Sequence, residues 1–103
     1  MTRQEKCEMK KGMTLKQHAE QARRIREMTD SLMYMRETVW KAYPLKGKMN
    51  SRFNAAERAL TRLRSELEES FYKDHPSVAP SVGFPHFHED ALKRLEQKAK
   101  AEE

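Results

Sequence analysis

The chain has 103 residues, of which 36% are charged and 37% hydrophobic, and a formal net charge of +5. That length leaves room for one small domain, and that composition excludes a thick apolar core. Residues 1–50 hold twelve Lys/Arg against six Asp/Glu, whereas residues 51–103 hold nine against ten, so the positive charge belongs to the N-terminal half. A basic half attracts nucleic acid, anionic lipid or an acidic protein face.

No stretch approaches the apolar length of a membrane span, and the N-terminus lacks the apolar run of a secretory signal. The single cysteine, Cys7, cannot form an internal disulfide. The expectation is a cytoplasmic protein with no membrane partner.

Residues 1–12, ending in Lys10-Lys11-Gly12, carry no hydrophobic period and read as a flexible basic tail. The remainder, 13–103, reads as one helical domain. Thr14 followed by Gln17 has the spacing of a capping box, which predicts a helix over about 14–43. Its apolar positions, Ala22, Ile25, Met28, Leu32, Met35, Val39 and Tyr43, fall on one broad face at 100° per residue, with Leu15, Met33 and Trp40 on the flank. Arg23, Arg26, Glu27 and Asp30 fall opposite, close enough to pair with one another along the helix.

Pro44 and Gly47 end that helix and permit a turn, and Asn50 or Ser51 can cap the next. The second helix is expected over about 51–73, with a narrow a/d seam of Phe53, Ala56, Leu60, Leu63, Leu67 and Phe71. A narrow seam suits one partner helix, and the short connection makes an antiparallel hairpin of coiled-coil type. Folding the hairpin about residue 47 brings Arg36 next to Glu57, and an ion pair between them is expected. Residues 74–87 hold three prolines, a glycine and two serines, which argues against any helix there. A shorter helix follows over about 88–101, with Ala91, Leu92, Leu95 and Ala99 as its apolar face and fraying after Lys98. The fold class is therefore all-α, a long antiparallel hairpin plus a shorter C-terminal helix.

The elbow from Thr38 to Ala56 contains no acidic residue. It gathers Lys41, Lys46, Lys48 and Arg52 with Trp40, Tyr43 and Phe53. Cations beside flat rings suit phosphates and unstacked bases, and equally an acidic protein surface. The competing reading is that the rings close the end of the core and the lysines keep the turn soluble. Met28, Met33 and Met35 form a methionine patch, best read as core filling but adaptable to a partner. Tyr34 points to the polar face.

His75, His86 and His88 with Asp74, Glu89 and Asp90 match no metal-ligand spacing, and no nucleophile, base and acid stand in a catalytic frame. No cofactor, metal or catalytic residue is expected. The first helix has a broader apolar face than the second can cover, so the chain reads as a small non-catalytic protein–protein interaction module acting by occlusion or scaffolding: an adaptor, inhibitor or assembly factor. Its anchors are Met33, Tyr34, Met35, Trp40 and Tyr43, with Lys41, Lys46, Lys48 and Arg52 steering an acidic or mixed partner surface, or a second copy. The alternative is nucleic-acid binding through the basic half and the elbow. In style, a small, charged, methionine-containing helical chain looks like bacteriophage accessory proteins, a likeness that covers no motif.

Overall fold

A computed structural model describes residues 12–43 and 47–102. Of the tail expected over residues 1–12, residues 1–11 lie outside the described residues, as do the Pro44 stop signal and Lys46. Four helices occur in the order α1 (Leu15–Ala42), α2 (Gly47–Asp74), α3 (Ala79–Val82) and α4 (Glu89–Ala101), with no strand among the described residues. The all-α class and the two long helices that pack together are as the sequence predicts.

The start of α1 is the capping box itself. The Thr14 hydroxyl accepts from the Gln17 backbone N–H at 3.1 Å, and the Gln17 side chain accepts from the Thr14 N–H at 2.9 Å. The helix stops at Ala42, where Tyr43 turns extended and its N–H still reaches the Val39 carbonyl. α2 begins at Gly47, a turn earlier than Ser51. Asn50 is therefore not its cap. It sits inside the helix, where its side-chain oxygen accepts a 3.0 Å hydrogen bond from Arg36.

Cross-helix pairs fix the antiparallel register. His18 bonds Asp74 at one end, and Arg36 pairs with Glu57 at 2.9 Å toward the other, as the reflection about the elbow predicts. Arg36 also lies 6.0 Å from the Phe53 ring centroid. With both partners in reach of water the Arg36–Glu57 pair adds no more than ~1 kcal/mol, so its role is register rather than stability.

The segment after α2 departs from expectation. Ala79–Val82 form a helical turn, because Pro80 falls in its first turn, where a missing N–H costs nothing. Gly83, at φ 98°, ends it, and its carbonyl accepts from the Tyr72 hydroxyl at 2.9 Å. α4 does not fray after Lys98 but runs to Ala101, with Glu89 and Asp90 in its first turn and Lys98 and Lys100 in its last, each favoured by the helix dipole. His88 holds the N-cap position without a side-chain capping bond.

The best-buried residues gather at the open end of the hairpin. Leu15, Ala19, Phe71, Ala79, Val82, Ala91, Leu95 and Ala99 form one cluster, and Ala22, Ile25 and Leu92 are buried with them. Arg23 and Arg26 are not on a solvent face paired along α1. Arg23 reaches across to Glu96 at 2.9 Å and Glu89 at 3.0 Å, and Arg26 bonds Glu89 and the Phe87 carbonyl. These contacts clamp α4 onto α1. The Glu96 carboxylate, then Glu89, holds the Arg23 guanidinium well above its ordinary pKa, and Arg23 in turn holds Glu89 below the usual carboxylate value. The result is a packed base and a projecting two-helix arm. The radius of gyration is 17.0 Å, against roughly 13 Å for a compact chain of this length.

Candidate interaction surface

Beyond the base, α1 and α2 meet only each other among the described residues, and the narrow seam of α2 cannot cover the broad face of α1. A groove of about 750 Å³ runs between them on one side of the arm. α1 lines it with Ile25, Met28, Leu32 and Met35, and α2 with Ala56, Leu60, Leu63 and Leu67. Met28 is 47% exposed, Met35 53% and Leu63 42%. The methionine patch is therefore not core filling, as the sequence suggested: the arm is too thin to enclose it. Toward the tip the groove continues into a hollow of about 480 Å³ lined by Leu32, Lys48, Met49, Arg52, Phe53 and Ala56.

The residues expected to act together separate in space. Lys48 and Arg52 share the tip hollow with Met49. Tyr34 and Met35 line a neighbouring depression with Asp30, Thr38 and Val39. At 100° per residue Met33 and Trp40 fall on the other flank of α1, with Arg36 and away from the groove. Trp40, at 66% exposed, and Tyr43, at 63%, do not close the end of the core; Phe53 alone of the three rings turns inward, half-buried beside Arg36. Lys41 is exposed at the end of α1, and Tyr34 is exposed as expected.

The sequence reading missed a second polar cluster, in the base. His18 is fully buried, its Nε2 2.8 Å from an Asp74 oxygen that also accepts from the Met13 N–H at 3.0 Å. His75 Nε2 lies 2.8 Å from the Met13 carbonyl and donates to it, which ties the chain before α1 to the end of α2. Gly12, at φ 77°, approaches Asp74 so closely that a Cβ there would strike the carboxylate. A second buried histidine, His86, is held by Glu68, which accepts from its Nδ1 and from its backbone N–H. Arg64 stacks 4.8 Å over the Phe87 ring and helps hold the same segment to α2. The available signal was weak: His18 falls on the apolar side of α1, but its partner lies 56 residues away.

Burial is the main force on His18 and pushes its pKa below 6.5, against the opposing pull of Asp74. The Met13 N–H, then His18, keeps Asp74 below its ordinary value. Among the described residues no group of three or more His, Cys, Asp or Glu converges to hold a metal ion. No described helix is long and apolar enough to cross a membrane. No family model matches the sequence, and no curated protein or solved structure matches it either.

Proposed function

We propose that this chain is a small non-catalytic protein–protein interaction module, an adaptor, inhibitor or assembly factor whose arm docks on a protein partner. One observation carries the reading. The base buries its own core, whereas the arm leaves a continuous groove with Met28, Met35 and Leu63 open to water. Large exposed apolar surfaces on small proteins mark interaction sites, and methionine suits a surface that must adapt. Lys41, Lys48 and Arg52 at the tip steer an acidic or mixed surface toward it.

The test is a tagged chain carrying Met28→Glu, Met35→Glu and Leu63→Glu. These side chains are solvent-accessible and glutamate is a good helix former, so far-UV circular dichroism should remain that of the wild type. Capture of bound protein, further copies of the chain included, is expected to fall about tenfold or more. Equal capture by the two forms would sink the reading.

A second reading, nucleic-acid binding, is favoured by the exposure of Trp40 and Tyr43 at the tip that bears Lys41, Lys48 and Arg52. The two readings differ in salt dependence. The protein-interaction reading predicts that replacing Lys46, Lys48 and Arg52 together by alanine leaves the log–log salt slope of duplex binding unchanged in fluorescence anisotropy. Loss of about 0.9 in slope for each phosphate contact removed would establish the nucleic-acid reading instead.

A further inference from the structure

We infer that the occupant of the groove is a second copy of this chain, joined through an antiparallel contact between the two α2 helices centred on Ala59. This rests on the interaction reading above and names its partner. Charge along α2 is polarised. Its first part exposes Lys48, Arg52, Arg58 and Arg62, and its last ten residues expose Glu66 and Glu69 against Lys73, with Glu68 and Asp74 engaged in the base. A parallel neighbour would set like charges together, whereas an antiparallel copy sets each basic half against an acidic one.

The flank of α2 beside the groove is self-complementary about one point. At 100° per residue Lys48, Arg52, Ala55, Ala59, Leu63 and Glu66 follow one another along it. Arg52 and Glu66 lie seven residues to either side of Ala59, about 10 Å each way at 1.5 Å per residue. A two-fold axis at Ala59 therefore places Arg52 of each copy beside Glu66 of the other, twice over, as an isologous interface requires. The same operation lays each Leu63 over the other copy's Ala55 and Ala56, so a large side chain meets small ones and the helices can approach closely. Met28 and Met35, across the groove on α1, then close over the incoming helix. The charges of both pairs are available: Arg52 and Glu66 are exposed in each copy, and neither forms an ion pair among the described residues.

Sedimentation equilibrium at micromolar concentrations tests this. The wild type is expected to be a dimer. Arg52→Glu and Glu66→Lys, each alone, should weaken it roughly tenfold or more by opposing like charges, and the double reversal should restore it. In a Cys7→Ser background, Ala59→Cys should form a disulfide-linked dimer on mild oxidation, and Glu69→Cys, about 15 Å along α2 from the axis in each copy, should not. A dimer that ignores Arg52→Glu and fails to cross-link through position 59 overturns the proposed axis. A monomeric wild type overturns self-association altogether. If that monomer still captures other proteins through Met28, Met35 and Leu63, the interaction reading survives without it; if it captures none, both fall.

Discussion

Replacing Phe71 by alanine is expected to remove about 3–5 kcal/mol of stability, enough to leave a chain of this size marginal or unfolded. Phe71 is fully buried and sits where the base converges. Its ring lies 5.5 Å from His18 on α1, 5.7 Å from Tyr72 and 6.2 Å from His75, and its cluster includes Ala79 and Val82 of α3 and Ala91, Leu95 and Ala99 of α4. Truncation removes a large apolar volume from a site whose walls are anchored by Tyr72–Gly83, His86–Glu68 and Arg23–Glu96 contacts and cannot collapse freely. Leu63→Ala, in the same stripe of α2, removes a side chain already 42% exposed and is expected to cost about 1 kcal/mol or less in the monomer. Urea unfolding followed by far-UV circular dichroism measures both. Similar losses at the two positions would contradict the division into a packed base and an open arm.

That division was only half legible in the sequence. Local signals were reliable where neighbours in sequence are neighbours in space: the Thr14–Gln17 box starts α1, and one reflection through the elbow places Arg36 on Glu57. They failed where partners lie far apart along the chain. Arg23 and Arg26 looked like solvent-face cations because Glu27 and Asp30 stand at pairing distance on the same helix. In the fold Glu89 and Glu96 claim them, since α4 returns along that flank and brings two carboxylates from more than sixty residues away. His18 gave no local signal of its pairing, because its partner Asp74 lies 56 residues away. The stripe on α1 is broad for two reasons that a helical wheel cannot separate. Near Leu15 to Ile25 it is broad because α4 covers it, whereas from Met28 onward α2 alone among the described residues packs beside it and leaves Met28 and Met35 open. The candidate site lies in the second part. Its aromatic and methionine members were identifiable, but their exposure was decided by where the C-terminal helix stops.

Acidification from neutral pH should destabilise the base in two successive steps, the upper one belonging to His18. Burial holds the His18 imidazole below 6.5, with His75 and His86 adding to that effect and Asp74 opposing it. The unfolded chain therefore takes up this proton before the folded one does, and stability must fall as pH drops below about 6.5, by at most about 1.4 kcal/mol per pH unit for one group. The geometry supplies the reason. Nε2 already donates to Asp74, and the second proton would sit on Nδ1, which is buried with no hydrogen-bond partner among the described residues. The lower step belongs to Asp74 and Glu89, both held below their ordinary values by Met13, His18 and Arg23 contacts; what they contribute is intact at neutral pH and is lost as pH falls below about 4. His18→Gln separates the two. Its urea midpoint should lie below that of the wild type at neutral pH, because Asp74 loses its imidazole partner, yet fall less between pH 6.5 and 5. Wild-type and variant midpoints that decline in parallel across that interval would show that the His18 proton is not what the base resists. Because Asp74 joins the end of α2 to Met13 and His18 at once, protonation there loosens the open end of the hairpin while leaving the Arg36–Glu57 register of the arm in place.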